Sequence, residues 1–214
     1  MLDVIEQDVF DQLLATVDRF AKERLIPAER KVEEADAVPE DIIAEMRQMG
    51  LFGLSTPQQY GGIGVNAAQE SRLIEALCYA SLSFRSLIGT NVGIGSQGIV
   101  MDGTTAQKER WLPAVASGEI VASFALTEPD NGSDAGGIRT SARRGGSDFV
   151  INGTKRYITN AVHAGVFTVF ARTNPDDPGA GGVSAFIVPA DTPGMTVAKP
   201  DKKMGQRGTK TSDV

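Results

Sequence analysis

Eight consecutive residues, Thr127-Glu128-Pro129-Asp130-Asn131-Gly132-Ser133-Asp134, concentrate hydroxyls, carboxylates and turn formers. They follow Val121 to Leu126, a run that reads as a strand. Pro129 and Gly132 favour a turn. Successive backbone N–H groups beside the Thr127 and Ser133 hydroxyls would form a concave donor surface, apt for a pyrophosphate or a flavin edge. On the residues alone two readings stand: a ligand-gripping turn, or an ordinary strand-ending turn with capping side chains.

Other chemistries find less support. A Walker-type phosphate loop is absent. Gly93-Ile-Gly95-Ser-Gln-Gly98 has Gly-x-Gly-x-x-Gly spacing but follows no predicted strand, so it reads as a chance match. The chain has one histidine and one cysteine, far apart, so no metal cluster is expected. His163, between two predicted strands, reads as a solvated or backbone-bonded loop residue rather than a base. Ser81, Ser83, Ser86 and Ser96 lack a nucleophile elbow. Cys78 reads as a small buried apolar residue on a helix. A single cysteine also excludes an internal disulfide.

The elements that must position the turn segment fall into two halves. Val4, Ile5, Phe10, Leu13, Leu14, Val17, Phe20 and Ala21 recur at helical spacing, with a break or bend near Pro27. Pro39 opens a second helix that Gly50 stops. Pro57 to Gly64 is a glycine-rich loop, and Asn66 caps a third helix. Residues 86–101 read as a glycine-weakened helical segment, and Thr104 or Thr105 caps a short helix through Trp111. From Val121 the period changes to that of strands. Asp148 to Thr159 reads as a hairpin about a type I′ turn at Asn152-Gly153. Val166 to Arg172 and Val183 to Val188 are further strands, and Asn174 to Gly182 is an exposed loop. Helices first and strands second predict an α+β chain. Its expected domains are a helical one over residues 1–119 and an antiparallel, sandwich- or barrel-like β domain over residues 120–214.

Length and charge bound the function class. The 214 residues suffice for one or two domains with a real core. A net charge of −6 argues against a nucleic-acid partner. No apolar run is long enough to span a membrane, and no signal peptide is visible, so a cytoplasmic protein is expected. The last residues, Gly205 to Val214, read as entering another strand, which looks like a cut rather than a domain end.

Phe124-Ala-Leu-Thr-Glu-Pro-Asp-Asn-Gly-Ser-Asp134 resembles a motif of the FAD-dependent acyl-CoA dehydrogenase family. Ile151-Asn-Gly-Thr-Lys-Arg-Tyr-Ile-Thr-Asn160 is similar to a second motif of that family. Gln107-Lys-Glu-Arg-Trp-Leu-Pro113 with Gly118, Phe186-Ile-Val-Pro-Ala-Asp-Thr-Pro-Gly194 and Lys203-Met-Gly-Gln-Arg-Gly208 are similar to others. The matches lie in family order over nearly the whole chain.

The resemblance implies a helical N-terminal domain and a middle β domain, with the family's C-terminal four-helix bundle absent from this sequence. It implies FAD as cofactor, an acyl-CoA thioester as substrate, and α,β-dehydrogenation with hydride passing to the flavin. Electrons would leave to an electron-transfer flavoprotein or similar acceptor, and the full-length protein would be a homo-oligomer. By motif match Phe124, Leu126, Thr127, Gly132, Ser133, Tyr157, Ile158 and Thr159 would contact the cofactor, and Ser133 would also meet the substrate. No catalytic base can be assigned, because the family glutamate lies on the bundle. Glu128 reads as structural, a carboxylate bonding nearby backbone N–H groups. The 214-residue chain is therefore expected to be weak or inactive alone. An acyl-CoA oxidase, a flavin monooxygenase relative and a non-catalytic flavin- or CoA-binding remnant are the competing readings.

Overall fold

The computed structural model describes residues 5–214, so Val4 lies outside the described residues. The chain forms two compact units. One holds the chain to Ile120 together with Lys202–Thr209. The other holds Val121–Asp201 and Lys210–Val214.

The first unit is helical. Helices α1 (Gln7–Phe20) and α2 (Ile26–Ala35) are joined by a π-helical turn over Ala21–Leu25. Phe10, Val17 and Phe20 bury the predicted face of α1. The helix continues through Pro27 instead of breaking. Proline lacks an N–H and crowds the carbonyl four residues back, and the wider turn just before it relieves both demands. Helix α3 (Glu40–Gln48) starts after Pro39 and stops at Gly50, whose φ of 71° is the left-handed conformation glycine permits. Helix α4 (Ala67–Leu77) begins with a capping box, Asn66 accepting from Gln69 N–H and Gln69 accepting from Asn66 N–H. Cys78 caps its other end and is exposed, not buried as its sequence context implied. Leu73, Ala76 and Leu77 take the inward positions of that helix.

The glycine-weakened stretch forms two helices, α5 (Leu82–Thr90) and α6 (Gln97–Asp102), separated by a π turn at Asn91–Gly95 with Gly93 off helical geometry. Asn91 is fully buried there. Its Nδ2 donates to Phe52 O at 2.9 Å and Val115 O at 3.1 Å. Helix α7 (Thr105–Ser117) is capped by Thr104 and runs past Trp111, through Pro113, to Gly118.

The segment Lys202–Thr209, placed with the β domain by sequence, belongs to this helical unit. Gly208 N–H donates to Asp36 Oδ1 at 2.7 Å, and Ser83 Oγ donates to Arg207 O at 2.7 Å. Gly208 has φ of 102°, and a Cβ there would lie 2.6 Å from Val32 Cγ1, so only glycine fits.

The second unit carries a five-stranded sheet and a two-stranded one. Strand β5 (Ala164–Arg172) is central. It pairs parallel with β1 (Val121–Ala125) and antiparallel with β6 (Val183–Pro189). Strand β2 (Ser141–Gly145) meets β5 in parallel at Ser141/Arg172 and pairs antiparallel with β3 (Asp148–Asn152). The sheet is thus mixed, not purely antiparallel as expected. The chain from β1 to β5 makes a long crossover that returns β5 in the same direction.

The predicted hairpin about Asn152-Gly153 is not formed. Strand β3 pairs backwards with β2, across a turn where Gly146 has φ of 69°. The next strand, β4 (Ile158–Thr159), pairs instead with β7 (Thr211–Ser212). Asn-Gly is a strong local turn signal, but Gly145-Gly146 offered a competing one. The cross-strand register Arg143/Val150 to Gly145/Asp148 shows which prevailed. Ala125, Ile158, Ala161, Phe167 and Val169 form this unit's core.

Among the described residues no helix is long and apolar enough to cross a membrane, and no group of three or more His, Cys, Asp or Glu could hold a metal ion.

Candidate functional site

The end of β1 runs beside the 155–159 segment. Ser123 Oγ donates to Thr159 O at 2.7 Å, Arg156 N–H donates to Thr127 O at 2.7 Å, and Lys155 Nζ donates to Leu126 O at 2.9 Å. These bonds bring Phe124, Leu126 and Thr127 together with Tyr157, Ile158 and Thr159, residues that lie about thirty positions apart in sequence.

Each side chain has a distinct setting. Ile158 is buried in the core. Phe124 packs on Phe170, ring centroids 5.0 Å apart. Leu126, Thr127 and Thr159 are half-buried. Tyr157 is 58% exposed, with the Arg156 guanidinium 4.8 Å from its ring centroid. Tyr157 also holds φ of 58°, and Asn160 holds 62°. Bulky residues with positive φ are uncommon and concentrate where surrounding structure imposes them. Gly132 and Ser133 stand further along the turn, both exposed. A Cβ on Gly132 would meet nothing within 4 Å. Asn131, beside them, has a buried Nδ2 with no hydrogen-bond partner.

Glu128 sits beneath this arrangement at 6% exposure and Lys155 at 3%. The carboxylate accepts from Arg139 N–H at 2.6 Å, Thr140 N–H at 2.8 Å and Lys155 Nζ at 2.9 Å. The structural reading of Glu128 thus matches its contacts. Burial works to raise its pKa, but the donors from Thr140, Arg139 and Lys155 outweigh that and hold it down to about 2. Burial likewise pulls the Lys155 ammonium below its ordinary value, against the opposing pull of Glu128. Lys155 is further fixed through its backbone, in reciprocal bonds of 2.7 and 2.8 Å with Val214.

Sequence reasoning gave Lys155 no role. The available signal was a lysine in an otherwise strand-like run ending Tyr157-Ile158, where a charge can be buried only with a partner. Arg172 was missed in the same way. Its guanidinium donates to Ile138 O at 3.1 Å, to Gly179 O at 3.2 Å, and to Gly136 O and Asp177 O, joining the Asp134–Ile138 turn to the Asn174–Gly182 loop.

A helical unit and a mixed-sheet unit, with a strand end and the β4 segment joined around a buried ion pair, make an α+β architecture. Two family models match: acyl-CoA dehydrogenase, N-terminal domain, over residues 8–119, and acyl-CoA dehydrogenase, middle domain, over residues 123–214. The chain belongs to the acyl-CoA dehydrogenase family.

Among its curated relatives is the mitochondrial very long-chain specific acyl-CoA dehydrogenase of Homo sapiens. It is 41% identical over 209 residues, which is 95% of this chain and 32% of that protein. An acyl-CoA dehydrogenase of Bacillus subtilis is 37% identical over 91% of this chain and 51% of its own. Among solved structures, a glutaryl-CoA dehydrogenase from Mycobacterium smegmatis in complex with FADH2 superposes with a TM-score of 0.87. It is 36% identical and covers 98% of this chain and 52% of its own. The chain thus spans about a third to a half of the length of these relatives.

Proposed function

We propose that the chain supplies the flavin-facing part of an FAD-dependent acyl-CoA dehydrogenase, acting on an acyl-CoA thioester. The observation that carries this reading is the pinning of Leu126-Thr127 beside Tyr157–Thr159, within a chain of this family. The residues present fit the cofactor. Tyr157 offers an aromatic face that solvent now reaches. Gly132 leaves open space where a side chain would stand. The orphaned Asn131 Nδ2 is a donor awaiting an acceptor. Phe124, Leu126, Thr127, Gly132, Ser133, Tyr157, Ile158 and Thr159 would hold FAD, and Ser133 would also reach the thioester's pantetheine arm.

When bound, the flavin supplies the acceptor for the hydride leaving the substrate β-carbon. The chain's own residues bind and orient. The backbone of 126–127 and the hydroxyls of Thr127 and Thr159 would supply hydrogen-bonding groups to the cofactor, and Ile158, buried in the core, would anchor the segment that carries them. Glu128 is not the base that takes the α-proton. A general base works best with a pKa near the operating pH, and a carboxylate held at about 2 by three donors is poorly basic. The base, the electron-transfer flavoprotein as acceptor, homo-oligomerisation and a cytoplasmic setting belong to this reading as features of the whole protein.

Two measurements on the purified 214-residue chain test it. Titration with FAD should give a bound, spectrally shifted flavin, and absence of any uptake would sink the reading. Acyl-CoA-driven reduction of an electron acceptor should be weak or undetectable. Robust turnover would show that a base is present in this chain after all.

A further inference from the structure

We propose that Lys155 is a positioning residue for the flavin site, setting the placement of Thr127 relative to Tyr157–Thr159; this rests on the flavin reading above. One ammonium, Lys155 Nζ, holds both Leu126 O and Glu128 Oε1 at 2.9 Å. Thr127 lies between those two residues, so the ammonium tethers the chain on both sides of it, through the backbone at Leu126 and through the side chain at Glu128. Thr127 O is bonded in turn to the N–H of Arg156, the residue next to Lys155. The lysine backbone is itself fixed by the paired bonds to Val214. The same few atoms therefore fix both the strand end at 126–128 and the origin of the 157–159 segment.

The chemistry of the side chain explains why a lysine stands here. Its four-carbon stem carries a compact charge with three donors. A shorter hydroxyl or amide would not span from the 155 backbone to the bend at 126–128. Glu128 neutralises the charge; Thr140 N–H shares Oε1 with the ammonium, and Arg139 N–H holds Oε2. Removing the ammonium would leave Leu126 O without this donor and Glu128 as an unpaired buried anion. The 126–128 backbone would then shift toward water, taking Thr127 with it.

The test compares the parent chain with Lys155→Met and with the double variant Glu128→Gln, Lys155→Met. The double variant removes the unpaired buried charge and keeps one carbonyl acceptor for the Arg139 and Thr140 side, and so provides a folded sample if the single variant unfolds. FAD is titrated into each at a temperature where circular dichroism shows native secondary structure, following flavin fluorescence and the visible absorption band. The dissociation constant should rise by about tenfold or more in each folded variant. Any residual bound flavin should lose the fine structure of its band. A merely fold-stabilising lysine would lower the melting temperature but leave both readouts at parent values in a folded sample, and that result would overturn the proposal. Failure of the parent itself to take up FAD would remove the flavin reading and this one with it. Uptake by the parent with unaffected variants would remove this one alone.

Discussion

Each unit buries a polar centre that ties distant segments together, and the two centres differ in kind. In the helical unit it is neutral: Asn91 on the π turn reaches Phe52 O and Val115 O. In the sheet unit it is ionic: Glu128 and Lys155 reach Leu126 O and the N–H groups of Arg139 and Thr140. The neutral centre bridges two carbonyls, of which Val115 O also accepts from Gly118 N–H, and it asks nothing of pH. The ionic centre joins a strand end to its neighbours at the cost of desolvating two charges. It lies beside the residues assigned to the flavin, and it can be unmade by protonation.

The sharpest break should come at Lys155. Lys155→Met strands a buried carboxylate and should destabilise the sheet unit by about 3–5 kcal/mol, read as a lower denaturation midpoint. An effect below about 1 kcal/mol would mean that the pair is hydrated and the contrast false.

The next break is acid. Glu128 has a folded pKa of about 2, below its ordinary 4.5. Its contribution is therefore complete above pH 4.5 and is lost as pH falls toward 2. By linkage this is worth roughly 3 kcal/mol. Melting followed by hydrogen exchange should show residues near 126–128 and 139–140 loosening in that window before those around Asn91. Simultaneous loosening would erase the distinction.

Asn91→Ala should cost about 2 kcal/mol, since Phe52 O loses its side-chain donor while Val115 O keeps the Gly118 N–H, and the loss should be the same at pH 7 and pH 4. The smallest effect should come from Thr104→Ala, which removes one cap from α7 and should cost about 1 kcal/mol. It gives the scale of a surface change against which both centres are judged.

Local signals in the sequence were legible where one residue decides. Asn66 and Thr104 cap helices, and Gly50 stops one, because those jobs belong to a side-chain oxygen or a positive φ. Pairing was not legible. Asn152-Gly153 reads as the turn of a hairpin, yet the chain reverses at Gly145-Gly146, a pair not singled out in the sequence. Both segments of the candidate site were visible as motifs. What joins them, Lys155 beneath Leu126 and Glu128, is a contact across 29 positions in one case and 27 in the other. No local periodicity encodes that separation.

The return of Lys202–Thr209 to the helical unit bears on how the chain is made. On a ribosome the helices emerge first, yet the piece that bonds Asp36 and Ser83 leaves the exit tunnel only after β6. Domains generally fold as units during synthesis, N-terminal first, but here the contacts of the early unit are complete only once a late segment has been made. Val32, which lies against Gly208, gains that neighbour only then.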